Sequence, residues 1–398
     1  MITIKLFKIH NVSFSVFFLG VYFLFLTFDF YNIPGIGSIT RILSILPMGF
    51  CLIERIYNDR NIKIELNRIT ILLIMFLVSA FVSTVLSISM SYSLSPFLTL
   101  LSNTIMVILL GSTRIYTEEE IGFLKKCLVG CGWLTAILMA IFSDFSISRM
   151  IFSIGDSKQD PNYLCGYMLY AFSFHLCQII DYKRYMHIVF CSVFIVLVFL
   201  SGSRGALLSY VAAVIVGVLF SNSLENSKKR NTIGAIIIIV VGVFLIYRFI
   251  LPHINSSIME RYTISYIKEY GTVGRIDIWK YLLAKYHSTG ILRHLIGFGY
   301  GTTIIINNMV HMGGHVAHNL YIENLVCSGL LGLFIQLLLH FTCLKTSAKI
   351  KYNVALCTFF AFITMCMSLS LTSYKPIWAL IIMIMICDRR NKYDIQNN

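Results

Sequence analysis

From Val12 to Cys387 the chain is a train of apolar runs, broken by short polar connections that collect its basic residues. The runs fall near 12–31, 39–54, 70–88, 94–112, 121–143, 162–180, 187–200, 205–221, 233–251, 319–343, 352–371 and 374–387. As a helix, a run of about 20 residues crosses the roughly 30 Å hydrocarbon layer of a bilayer. Backbone polar groups in lipid must find partners within the protein, so only helices and closed barrels cross it. No stretch alternates polar and apolar residues as a barrel strand would, which leaves helices. With 57% hydrophobic residues, 13% charged residues and a mean hydropathy of +0.79, the chain carries more apolar surface than a soluble core of its length can hide. The expectation is an all-α integral membrane protein: one polytopic domain over 1–398, with twelve spans, the last of them short.

Charge predicts the orientation. With the amino terminus inside, twenty of the 32 basic residues fall in inner segments, among them Arg55, Arg68, Arg114, Lys183, Lys345 and Arg389. The short outer segments hold only Arg41, Arg149, Lys158, Arg204 and Lys375, and the remaining seven lie from Arg248 to Arg293. Excess Lys and Arg in short loops marks the cytoplasmic side, so both termini are expected there. The net charge of +14 does not point to nucleic acid, because the basic residues are dealt out between spans and form no single patch. Lys5 and Lys8 before the first run resemble a signal peptide, but the run is long and no small-x-small site follows, which predicts an uncleaved first helix. The eleven cysteines lie almost entirely in apolar runs without a C-x-x-C pair, as buried apolar residues do.

One connection is long. Residues 252–317, on the expected outer face, carry aromatics and helix-like stretches such as Asp277 to Tyr286, and predict an ordered loop partly capping the bundle. The candidate chemistry gathers on this face. Arg204 follows Ser201-Gly202-Ser203 at the membrane edge, where an arginine either snorkels to lipid phosphate or meets a substrate anion. Arg275 follows Gly274 just ahead of Asp277 and Trp279; a solvated surface arginine is the plain alternative. His311, His315 and His318 are spaced like metal ligands, but Gly313-Gly314 disfavours a helix there and no fourth ligand is evident, so no metal is expected. His318 stands apart, because it opens the tenth span beside Asn319 and can accept a proton near neutral pH. Asp156, Asp160 and Asn162 precede the sixth span, either as an ordinary helix start with Pro161 in its first turn or as contacts to sugar hydroxyls. Gly297-Phe298-Gly299-Tyr300-Gly301 lacks the context of a nucleotide loop and predicts a turn shaping a cavity.

Three stretches together resemble the O-antigen ligase and O-antigen polymerase family: Ser203-Arg204-Gly205-Ala206-Leu207; Gly274-Arg275 through Trp279 and on to Gly297-Phe298-Gly299; and His318-Asn319-Leu320-Tyr321 running to Gly329-Leu330-Leu331-Gly332. The resemblance covers roughly the second half of the chain, and it includes the twelve spans and the long loop. It implies an inverting, metal-independent glycosyltransferase without a cofactor, acting on an undecaprenyl-pyrophosphate-linked oligosaccharide at the external face of the cytoplasmic membrane. In that picture Arg204 and Arg275 hold the pyrophosphate, His318 handles the acceptor proton, and Asp160, Asn162 and Asn319 contact substrate. A flippase and a chain-length regulator of the same pathway would be partners, together with the bilayer and no nucleic acid. Asp160-Pro161-Asn162-Tyr163 inclines the comparison toward a polymerase that extends lipid-linked repeat units. The ligase, which moves glycan to lipid A core, is the alternative. A transporter of lipid-linked sugar is the rival from another class; it would call for ionisable or broken-helix sites near the midplane and repeated halves.

Overall fold

The computed structural model describes residues 8–9, 12–33, 37–59, 64–145, 149–220, 234, 242, 260, 262–263, 265, 275–309 and 315–397. The expected run over 233–251 lies outside the described residues, as do most of 252–274, His311 and Gly274. Each of the other eleven runs coincides with a helix. In chain order these are α1 (Phe14–Leu24), α2 (Ile39–Asp59), α3 (Arg68–Val85), α4 (Met90–Ser112), α5 (Glu118–Phe142), α6 (Pro161–Ile180), α7 (His187–Leu200) and α8 (Arg204–Leu219). The long loop contributes α9 (Arg275–His287), α10 (Ile291–Ile296) and α11 (Thr303–Asn308), and α12 (Leu320–Lys349), α13 (Asn353–Cys366) and α14 (Lys375–Asn397) complete the set. Five of them, α3, α4, α5, α6 and α12, are long and apolar enough to cross a membrane by length and composition. The fold is thus mostly helical and of membrane type. Among the described residues the strands are short, the longest being β2 (Ile151–Ile154), between β1 (Ser143–Asp144) and β3 (Ser157–Gln159) in an antiparallel sheet.

The helices start where polar side chains can take their unpaired amides. Asn67 caps α3; Thr117 caps α5 in a reciprocal pair with Glu120; Asp160 caps α6 with Pro161 behind it; Ser203 caps α8; Asn319 caps α12. The short run at 374–387 becomes the innermost helix, buried continuously from Lys375 to Ile386. Apolar residues on α3 such as Ile71, Met75, Val78 and Phe81 point outward instead, as a lipid-facing surface would.

Contacts between connections sort into two ends. At the basic end, Glu65 pairs with Arg389 and Lys392, and the Asn353 amide reaches Asp181 at 3.0 Å. There Arg114 is buried between Glu54 (3.3 Å) and Glu120 (2.6 Å), with Ser13 and Ser15 also accepting from it, which ties the starts of α1 and α5 to the ends of α2 and α4. At the opposite end, Ile88 N donates to Phe298 O, Arg293 to Leu86 O, Tyr163 to Ser370 O and Asn319 to Met367 O. The chain leaves the basic end at Phe220, and Arg275 stands at the other.

The long loop has its own small core on that second end: Ile278, Leu282, Tyr286, Phe298, Ile306 and Ala317, packed against Val326 of α12. Two glycines hold it there. At Gly329 α12 breaks with φ +66°, and Gly297 takes φ +77° opposite it. A Cβ on Gly297 would stand 2.3 Å from the Cys327 carbonyl, and one on Gly329 would stand 2.3 Å from Leu295 O. The carbonyls freed by the break are taken by Phe298 N (to Val326 O, 2.9 Å), Gly299 N (to Cys327 O, 3.1 Å) and the Ser83 hydroxyl (to Cys327 O, 2.5 Å).

Candidate functional site

Asp160 is the hub of the polar cluster at the loop-bearing end. β2 and β3 pair with Ile154 opposite Ser157, and the two-residue turn between them, with Gly155 at φ +56°, folds Arg149 back over Asp160. One Arg149 nitrogen meets both carboxylate oxygens at 2.8 and 2.7 Å. Asp160 also accepts from the Asn162 backbone N (2.8 Å) and side-chain amide (2.7 Å), so it serves as helix cap and ion-pair partner together. Asn162 in turn accepts from the Ser203 hydroxyl, the residue just before Arg204. Asp156 sits at the exposed turn, away from this cluster.

His318 joins the cluster from the other side. Trp279, one turn along α9 from Arg275, donates to Ala317 O at 2.7 Å and so fixes α9 against the residue before His318. Burial pushes the His318 imidazole below its ordinary value; the nearby Arg275 cation adds to this and Asp160 opposes it. His318 takes φ +50°, uncommon for a residue with a side chain, and its Nδ1 is buried with no hydrogen-bond partner among the described residues. A neutral ring with an unused nitrogen is what a proton acceptor needs.

The start of α8 meets this centre by a second route. Gly205 has no room for a Cβ, which would lie 2.2 Å from Ser368 Oγ, and the preceding Met367 carbonyl accepts from the Asn319 side chain at 3.1 Å. Arg204 and His318 therefore follow two residues, Ser203 and Ala317, that are tied into one framework. Asn319 spends its side-chain oxygen on Tyr321 N and Ile322 N and its amide on Met367, which makes it a structural cap. Asn162 is equally engaged.

Two cavities open at the same end, and neither is lined by Arg204, Arg275 or His318. The first, of about 400 Å³, is walled by Tyr92, Tyr163, Tyr300, Glu323 and Ser370. The second, of about 530 Å³, is walled by Asp29, Arg41, Asn103 and Lys375, and the two meet at Ser95, Thr99 and Ser373. The expectation of a cavity-shaping turn at 297–301 is met, since Tyr300 and Gly301 line the first. Sequence reasoning passed over Arg149, whose partnership the hairpin turn Gly155-Asp156 could have signalled, and Glu323 and Lys375, whose exposure to cavities only tertiary packing reveals. No protein-family model matches the chain, and no curated protein matches it in sequence.

Proposed function

We propose that this chain is a twelve-span membrane glycosyltransferase of the O-antigen polymerase type, with both termini cytoplasmic and its reacting centre at the external face. The observation that carries this reading is the convergence of Arg275, Arg149, Asp160 and the half-buried His318 at one end of the bundle, tied through Asn162 and Ser203 to the start of α8. Arg204 is the first residue of α8, where the helix dipole is positive and disfavours a cation by about 0.3–1 kcal/mol. A diphosphate arriving there would reverse that penalty.

The reaction balances with this chain's own groups. The acceptor sugar's hydroxyl oxygen bonds to the anomeric carbon of the donor as the bond from that carbon to the pyrophosphate oxygen breaks on the opposite side. The hydroxyl proton passes to the neutral imidazole of His318, and the leaving pyrophosphate, still on its lipid, keeps the electron pair. Arg204 and Arg275 meet its growing charge, each worth about 2–4 kcal/mol of barrier by analogy with removal of an oxyanion donor. Asp160 holds Arg149 and keeps the centre from accumulating uncompensated positive charge.

The broken helix α12 is the feature that would favour a transporter, since such breaks line translocation sites. Here the Val326 and Cys327 carbonyls beside the break already accept from Phe298, Gly299 and Ser83, so the break serves to seat the long loop. The ligase alternative shares the same residues. Deletion of the gene separates the cases: single repeat units left on the carrier mean polymerase, and full-length polymer stranded on its carrier means ligase. Arg275→Lys should abolish chain extension while the protein remains inserted, because an ammonium cannot replace the forked guanidinium; normal polymer length in that variant refutes the role.

A further inference from the structure

The transfer centre accounts for one lipid-linked substrate, yet the two cavities beside it carry recognition chemistry it does not use. Lys375 is only 9% exposed and lines the second cavity with Arg41. Burying an ammonium is costly unless an anion meets it. Asp29, which accepts from the Ser38 and Thr40 hydroxyls, offsets one of the two positive charges and leaves the other uncompensated among these three. The Asn103 amide nitrogen, also on this wall, is buried with no partner among the described residues. An unmade donor beside a surplus cation defines a site for an oxyanion. The rim of the same cavity carries Leu94 and Leu98, 44% and 50% exposed, so an apolar chain attached to that anion would run out along α4 into lipid.

The first cavity has the opposite character. Its wall combines the faces of Tyr92, Tyr163 and Tyr300 with the carboxylate of Glu323, whose Oε2 is buried and has no partner among the described residues. Aromatic faces with a carboxylate acceptor and hydroxyls suit a sugar ring, whose hydroxyls donate in pairs, and about 400 Å³ lies within the range of small-ligand sites. Val316 also lines this cavity, two residues before His318, so a sugar held there lies beside the proposed proton acceptor.

We propose that the two cavities form one groove for a second lipid-linked sugar, its phosphate held by Arg41, Lys375 and Asn103 and its first sugar ring by Glu323. The phosphate end stands on its own observations; the role of this molecule as acceptor rests on the transferase reading above. A second carrier-linked substrate is what joining repeat units demands.

The test is native mass spectrometry of the full chain titrated with undecaprenyl pyrophosphate, with undecaprenol setting the non-specific background. Wild type should take two carriers, Arg41→Gln/Lys375→Met one, and Arg275→Gln one. Wild type that never exceeds one carrier, or an Arg41→Gln/Lys375→Met variant that still takes two, overturns the groove. Displacement of the second carrier by an equal concentration of inorganic pyrophosphate also overturns it, by showing a site for the free anion. If Arg275→Gln takes two while Arg41→Gln/Lys375→Met takes one, the groove stands and the pyrophosphate role of Arg275 falls. Carrier bearing the cell's own glycan should outcompete bare carrier at the second site by about tenfold, and Glu323→Gln should erase that preference. No preference in wild type, or an unchanged one in Glu323→Gln, overturns the sugar end.

Discussion

Gly297→Ala and Gly329→Ala test the joint that holds the long loop on the bundle. Both glycines combine positive φ with ψ −168°, a backbone region open essentially to glycine alone, at a cost of about 1–3 kcal/mol for any other residue. The added Cβ would also stand 2.3 Å from backbone on the facing strand of the joint, where no rotamer change gives relief. Separating the two segments breaks two hydrogen bonds, Phe298 N to Val326 O and Gly299 N to Cys327 O, each worth about 1 kcal/mol net and more where water cannot replace it. The sum is about 3–5 kcal/mol for either substitution, or roughly 6–10 °C of apparent melting point at about 2 °C per kcal/mol for a large chain. Because each variant opens the same joint, the double variant should lose little more than either single one. Thermal unfolding of detergent-solubilised protein, followed by tryptophan fluorescence, reads this directly. A shift under about 2 °C for either single variant, or additive losses in the double, refutes the interlock.

Three further outcomes follow from the polar clusters. The folded-state value of His318 is depressed, so the group stays neutral through neutral pH, and the acid limb of the pH–rate profile should lie below the ordinary histidine value of about 6.5. Removing the Asp160 charge with Asp160→Asn deletes the interaction that favours the imidazolium, so that limb should move to lower pH still; a move upward contradicts the arrangement. The same variant keeps a capping side chain and loses only a half-exposed ion pair, about 0.2–1 kcal/mol, whereas Asp160→Ala also loses the cap and should cost about 1 kcal/mol more in equilibrium denaturation. At the basic end, Arg114→Met strands the buried carboxylates of Glu54 and Glu120 and should cost about 3–5 kcal/mol, while Arg114→Met with Glu54→Gln and Glu120→Gln should recover much of it; equal losses in the two would show that burial of charge is not the cause.

The helices were legible because a run that must cover a fixed thickness announces itself by length alone, which is why 70–88, 94–112 and 162–180 match α3, α4 and α6 to within a few residues. Charge could not announce what tertiary contact creates. Gly329 interrupts α12 in the middle of an apolar run that reads as one continuous helix, and its partner Gly297 lies 32 residues earlier in a loop with no periodicity. The first run likewise gives way to a 3₁₀ turn at Leu26–Phe30, where Asp29 faces the second cavity. The run 374–387 is short for a span, yet a helix enclosed by others needs no lipid-facing stripe, and its apolar part ends at Asp388-Arg389-Arg390, where the helix reaches the basic end and runs on to Asn397.

For the site, local chemistry picked the residues and geometry supplies the reason they belong together. Arg149 pairs with Asp160, and both stand with Arg275 close enough to the half-buried His318 imidazole to act on it. Burial first, and then the balance between these cations and the Asp160 carboxylate, sets the neutral state of that imidazole. On the proposed reading, a dianionic group entering there would find forked guanidinium donors for its oxygens. The second cavity sets Lys375 and Arg41 against Asp29. The two cavities meet at Ser95, Thr99 and Ser373, so on the same reading an anion site lies next to a sugar-sized one at one end of the bundle.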